Sequence, residues 1–161
     1  MSQETGRAFL AEARRHLRAD YLPKIERCLD VLPDGGVWWR AGEESNSIGN
    51  LLLHLDGSTR YWIVGVAGGV TVERDRQREF DERRPIQGAE LLARLKRTLA
   101  DADAVLASVT AERLLEKRQS RGKDVRVLEA VYHAVEHFSM HAGQIFMLTK
   151  MRTGKDLKLD D

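Results

Sequence analysis

The sequence predicts an all-α protein, a single bundle of four helices, and three observations support this fold class. The chain has 161 residues, enough to bury one hydrophobic core. Hydrophobic residues make up 42% of it and charged residues 32%, a balance typical of globular helical proteins. Four long segments carry apolar residues at helical spacing, and we find no convincing strand pattern between them.

The first helix is expected from about Gln3 to Leu32, where apolar residues recur every three or four positions. Pro23 lies inside this segment and predicts a kink or a break. The run from Pro33 to Gly36 ends the helix. Trp38 and Trp39 follow in a connector that we expect to pack, because two adjacent indoles would not remain bare in water.

The other three helices follow at varied intervals. The second opens in the capping run 45–47 and continues to about Gly68. The third is expected from about Gln87 to Val109, after a polar loop. A charged linker, Glu116–Asp124, precedes the fourth, from about Val125 to Met151. We predict one domain over residues 1–152 and a polar, frayed tail over 153–161.

Composition excludes several classes of function. The 26 basic and 25 acidic residues give a net charge of +1, without the basic excess of a nucleic-acid-binding protein. The run Glu73–Arg84 alternates in sign and is predicted to be a solvated loop. A lone cysteine, Cys28, excludes an intrachain disulfide and predicts a buried thiol. With no apolar run of membrane length and no signal peptide pattern, we expect a cytoplasmic protein that does not bind membranes.

The histidines indicate chemistry. His133, His137 and His141 follow one another at a spacing of four, so each shifts about 40° around the fourth helix. His137 and His141 therefore project side by side from consecutive turns, and His54 borders the apolar face of the second helix. Two helices in a bundle would bring these three imidazoles to one metal ion with coordination positions to spare. His133 is read as a supporting or exchange ligand, and His16 as solvent-exposed.

Two protease motifs compete with this interpretation, and both are disfavoured. Residues 133–137 spell H-x-x-E-H, the inverted zincin pattern. That pattern needs a carboxylate ligand well downstream, and only 24 residues follow His137. Glu136 also lies about 100° from His137, toward the polar side of the helix. The forward zincin motif fails because Phe138 stands where its glutamate would be.

Two stretches of the sequence resemble the signature regions of the DinB-like superfamily. They are Asn46-Ser47-Ile48-Gly49-Asn50-Leu51-Leu52-Leu53-His54-Leu55 and Val135-Glu136-His137-Phe138-Ser139-Met140-His141-Ala142-Gly143-Gln144-Ile145. The helix order and the connector Trp38-Trp39-Arg40 are similar too, so the resemblance covers nearly the whole chain.

This resemblance implies an up-down-down-up four-helix bundle, often a homodimer. It implies a metal site formed by His54, His137 and His141, and zinc, nickel, iron and manganese all occur in such proteins. Characterised members include low-molecular-weight-thiol S-transferases and a thiol-dependent isomerase, in which the metal binds the thiol as a thiolate.

Two functions are therefore open. In the first, the protein is a metal-dependent transferase, such as a low-molecular-weight-thiol S-transferase, or a hydrolase, acting on a small-molecule substrate. Gln144 and Asn50 would then hydrogen-bond the cofactor or ligand, and no general acid or base can be assigned. In the alternative, the protein is a non-catalytic homodimeric binding or stress-response module, in which Trp38, Trp39 and Trp62 line a partner surface.

Overall fold

A computed structural model describes residues 2–159 and confirms the all-α four-helix bundle. Two of the four long helices change from α- to π-helical geometry along their length. A short helix and a β-hairpin occupy two of the connections. None of the helices within residues 2–159 is both long enough and apolar enough to span a bilayer.

The first helix stays continuous through Pro23. It comprises α1 (Gln3–Arg15), a π-helical segment (His16–Tyr21) and α2 (Leu22–Val31). Proline lacks an N–H, and its ring would clash with a carbonyl one turn earlier in a regular α-helix. The wider π-helical turn immediately before Pro23 accommodates this, so the chain does not break there.

The second helix consists of α3 (Ile48–Thr59) and a π-helical segment (Arg60–Ala67). Its start is fixed by a capping box, in which the Ser47 hydroxyl accepts from the Asn50 N–H. The side-chain oxygen of Asn50, Oδ1, accepts from the Ser47 N–H in return. Gly69 follows the helix with a φ of +79°, which glycine adopts without steric cost.

The remaining long helices are α5 (Gly88–Ser108) and α6 (Val127–Thr153). Inward-facing aliphatic side chains from all four long helices form one core, and α6 contributes Phe138 at its centre. Cys28 is buried in this core, as predicted. The Trp38 indole packs against Gly49 and donates to the Ile86 carbonyl at 2.8 Å, so the expected packing of the connector is confirmed for this residue.

The prediction of a strand-free linker before the last helix was wrong. β1 (Lys117–Ser120) pairs antiparallel with β2 (Lys123–Arg126). The turn residues Arg121 and Gly122 have φ of +50° and +76°, which suit the right-handed twist of a two-residue hairpin. Four-residue strands rich in charge carry too little apolar alternation to be recognised from sequence.

Two other predictions of solvated segments also need correction. The run Glu73–Arg84 contains a short helix, α4 (Arg76–Asp81), whose start is capped by the Asp75 carboxylate. It packs against α3, and Glu79 and Phe80 are half-buried there. The tail is not frayed through residue 159, because Leu157 is buried in the core and Arg27 donates to its carbonyl.

Candidate metal centre

The ring nitrogens of His54, His137 and His141 converge between the second and fourth helices. The Nε2 atom of His137 lies 2.9 Å from Nε2 of His54 and 3.1 Å from Nε2 of His141. One ligand atom from each residue lies within 4.8 Å of the others. The convergence on which the sequence-based hypothesis depended is therefore present.

Local structure explains this convergence. His137 and His141 lie four residues apart on α6, so their rings leave neighbouring turns, with centroids 4.4 Å apart. His54 comes from α3, which packs directly on α6. The His54 ring is 2% exposed and faces both partners, with centroids at 4.8 Å from each. The contact between the two helices thus sets the spacing of the three rings.

The distances suit a single transition-metal ion. Two nitrogens bound to one ion at about 2.0–2.1 Å lie roughly 2.9–3.4 Å apart when the bonds make an angle of about 90–110°. The measured separations of 2.9 and 3.1 Å fall in this range. Three neutral imidazoles are also a donor set that zinc, nickel and iron accept.

Two of the histidines are hydrogen-bonded through Nδ1, the outer nitrogen that faces away from the cluster. Their inner nitrogens, Nε2, are left free. His54 Nδ1–H donates to the Glu79 carboxylate, 2.7 Å away. His141 Nδ1–H donates to the Gln144 side-chain oxygen, also at 2.7 Å. Because the proton of each ring is held at Nδ1, Nε2 presents its lone pair toward the shared point. This is how metal-ligating histidines are commonly oriented by surrounding residues.

His137 is held between the other two rings, and its outer nitrogen faces Ser58. The Ser58 hydroxyl lies 3.3 Å from His137 Nδ1 and can donate or accept, so it suits either tautomer of the ring. Burial, followed by the neighbouring His141 and His54, lowers the pKa of His137 to about 3. Burial also lowers the pKa of His141. The site therefore favours neutral imidazoles, the form that binds metal.

Behind His54, a buried ion pair holds the carboxylate in place. Arg74 Nε donates to Glu79 Oε1 at 2.7 Å, and Arg74 Nη2 donates to Oε2 at 2.8 Å. The two side chains are only 7% and 11% exposed. Burial alone would raise the pKa of Glu79, but hydrogen bonds from Arg74 and then His54 hold it below its usual range. Glu79 is thus a fixed anion that orients His54.

Other residues of α4, of the second helix and of α6 lie around the three histidines. The Phe80 ring packs on His54 with a centroid distance of 4.5 Å, and Arg76 lies over the Phe80 ring. On the opposite side, Trp62 contacts His133, whose ring centroid is 5.5 Å from that of His137. Aromatic rings therefore border the site along both flanks.

The other histidines and the two polar residues named from sequence have separate positions. His133 lies beside the site, with Nδ1 at 3.7 Å from Glu136, and it is outside the converging set. His16 is half-buried rather than solvent-exposed, because it bonds Asp20 on the first helix. The Gln144 side-chain oxygen lies 2.7 Å from His141 Nδ1, and its role in binding a cofactor stays a prediction.

Asn50 needs a correction. Its oxygen accepts from Arg40 and Ser47, and its amide nitrogen donates to backbone carbonyls of the segment that carries Glu79. Both polar atoms are engaged by the protein, so the residue positions α4 rather than a ligand.

Sequence reasoning missed Arg74 and Glu79. Both lie in the run of alternating charge that composition assigns to solvent. Asp75 is a recognisable helix cap, which would have indicated α4. No feature of the run indicates which of its acidic residues meets His54, because that contact spans 25 positions.

Comparison with known proteins agrees with this architecture. A family model described as "Protein of unknown function (DUF1572)" matches residues 4–159. The chain belongs to this family. No curated protein matches the chain.

Two solved structures of DinB-like proteins share the fold of this family member. One, from Bacillus subtilis, is 17% identical, with a TM-score of 0.68, over 90% of this chain and 93% of the other. The second, from Bacillus cereus ATCC 10987, is 14% identical, with a TM-score of 0.65, over 83% and 86%. The resemblance to the DinB-like superfamily is confirmed, and at these identities it concerns the fold alone.

Proposed function

We propose that His54, His137 and His141 hold one divalent transition-metal ion, and that the protein is a metal-dependent transferase acting on a small thiol. One observation carries the proposal. The Nε2 atom of the half-buried His137 lies 2.9 Å from that of buried His54 and 3.1 Å from that of buried His141. The outer nitrogens of His54 and His141 are fixed by Glu79 and Gln144. Aliphatic side chains would pack this part of the core better than three imidazoles, so packing does not explain the cluster.

An imidazole-bound divalent cation lowers the pKa of a thiol or a water that it binds and so provides a nucleophile near neutral pH. The chain supplies the orientation of the ligands. Arg74 fixes Glu79, Glu79 fixes His54, and Gln144 fixes His141. Because Arg74 holds Glu79 through two hydrogen bonds, His54 is preorganised at little entropic cost on binding.

The surroundings favour a thiol over water as the nucleophile. Many metal-dependent hydrolases add a carboxylate that takes a proton from the metal-bound water. Glu79 is unsuited to this, since Arg74 and His54 occupy both of its oxygens and keep its pKa low. A thiol starts from a pKa of about 8.5 and needs no separate base once its pKa is lowered.

Elemental analysis of purified protein tests the metal site. We expect about one ion per chain in the wild type, and loss of it in His137→Ala. The matched control is His16→Ala, which removes a histidine outside the cluster and should keep the metal. Full metal content in His137→Ala would overturn the proposal.

A second assay addresses the reaction. Metal-loaded and chelator-treated protein are compared for conjugation of small thiols to an electrophile and for hydrolysis of activated esters. We expect metal-dependent thiol conjugation. Metal-dependent ester hydrolysis without thiol transfer would assign the site to a hydrolase instead.

A second candidate function is a non-catalytic homodimeric module, and the surface of α6 favours it. Met140, Met147 and Met151 are each at least half exposed and lie within about 40° of one another around the helix. Exposed apolar side chains in a row are typical of interaction surfaces. Light scattering of wild type and Met147→Glu tests this idea, with a monomeric variant and a dimeric wild type as the expected result.

A further inference from the structure

Beside the metal centre, α4 carries an arginine that has no ion partner. The guanidinium carbon of Arg76 lies 4.9 Å from the centre of the Phe80 ring. That ring lies 4.5 Å from the ring of His54. Within residues 2–159, no carboxylate oxygen comes within 4.0 Å of the Arg76 guanidinium nitrogens. Arg76 is therefore an exposed cation without a carboxylate partner in the described part of the chain, and it lies next to the three histidines.

The other arginines of this segment differ from Arg76. Arg74 is buried and bonded through two nitrogens to Glu79. Arg84 is paired with Glu82, and Arg83 donates to the backbone carbonyls of Phe80 and Glu82. Arg78 lies on the same helix and lines a surface depression together with Asp56, Arg94 and the Arg74–Glu79 pair. Arg76 is the arginine of this segment whose guanidinium lies over the Phe80 ring, on the side of α4 that contacts His54.

We propose that Arg76 determines substrate specificity by binding a carboxylate carried by the small thiol that reacts at the three-histidine centre. This inference rests on the proposed function, since it concerns the substrate of that site. The planar guanidinium matches a carboxylate with two parallel hydrogen bonds. Its contact with the Phe80 ring restricts the side chain, so less conformational entropy is lost when an anion binds.

The surrounding charges favour a single anionic group. Glu136 is exposed on α6, one residue before His137, and carries a negative charge. A second anionic group directed toward α6 would therefore be repelled. A monocarboxylate whose acid group faces α4 meets the positive side of the site and avoids the negative one.

Cobalt-substituted protein provides the test, because a thiolate on Co²⁺ gives a charge-transfer band that can be titrated. The probes are 3-mercaptopropionate and its neutral analogue 3-mercaptopropionamide, with mercaptoacetate as a shorter acid. We expect the wild type to prefer the acid over the amide roughly 5- to 10-fold more than Arg76→Ala does. The acid-to-amide affinity ratio of the wild type is divided by that of the variant, which removes the intrinsic difference in metal affinity between the two thiols.

Two further variants make the result specific. Arg78→Ala removes the same charge from the same helix and should keep the wild-type preference, whereas Arg76→Lys keeps the charge but loses the planar fork and should retain only part of the preference. An unchanged preference in Arg76→Ala, or an equal loss in Arg78→Ala, would overturn the role of Arg76 and leave the metal centre intact. Failure of the wild type to bind Co²⁺ would overturn the metal centre and this inference together.

Discussion

Gly57 permits the close approach of Glu79 to α3, and replacing it tests whether that approach matters for metal binding. A Cβ atom at position 57 would lie against Glu79 Oε1, 2.9 Å from Glu79 Cδ and 3.1 Å from Arg74 Nε. Alanine would therefore displace the carboxylate that accepts from His54. None of the three histidines is changed in this variant.

The magnitudes separate an effect on metal binding from an effect on folding. Alanine in a helix interior is favoured over glycine by about 0.5–1 kcal/mol, while insertion of a methyl group into a packed site costs about 1–3 kcal/mol. Because the Glu79 carboxylate ends a flexible side chain, we expect a net destabilisation of at most about 2 kcal/mol. Loss of a hydrogen-bonding partner behind a metal ligand typically lowers affinity about 10- to 100-fold.

The assay is competition with a chromophoric chelator, combined with urea unfolding of the metal-free protein. The control is Gly143→Ala on α6, where an added Cβ meets nothing within 4 Å. It should keep wild-type metal affinity and gain up to about 1 kcal/mol in stability. Wild-type affinity in Gly57→Ala, with a correctly folded protein, would refute the role assigned to Glu79.

Three further predictions use the same measurements. Glu79→Gln should lower metal affinity about 10- to 100-fold, because one amide oxygen cannot serve the three donors that the carboxylate accepts from Arg74 and His54. The control is Glu136→Gln, which also removes one negative charge but breaks no hydrogen bond to His54. It should change metal affinity less than about threefold. Gln144→Leu should lower affinity roughly tenfold, since His141 loses the acceptor at Nδ1. If the urea unfolding curve of Gln144→Leu matches that of the wild type, the loss of metal affinity is local to the site. In metal-free protein the pKa of His137 is lowered to about 3, below the value near 6.5 of an unfolded chain. The native state then binds fewer protons, so the free energy of unfolding is largest above about pH 6.5 and falls toward pH 3, by up to about 1.4 kcal/mol per pH unit from this residue. Urea unfolding at pH 7 and pH 5 should show a smaller pH dependence in His137→Asn, and an unchanged dependence would contradict the lowered pKa.

The sequence by itself determined the helices and the three candidate ligands. Periodicity defined the long helices because each buries one continuous face, and a spacing of four placed His137 and His141 on adjacent turns. His54 was assigned to the edge of the core by the same periodicity, and it is buried there. These are local properties of one helix, so a single sequence is sufficient to read them.

Only the tertiary structure decided what supports the ligands. Glu79 reaches His54 across 25 positions, and Asn50 binds the backbone of the same distant segment. In the sequence, Arg74 and Glu79 are indistinguishable from solvated charges, because the burial that makes their pairing strong arises only when α4 packs on α3. Helical spacing is fixed by backbone geometry, whereas the choice of a partner from another segment depends on how the helices pack, which no local pattern encodes.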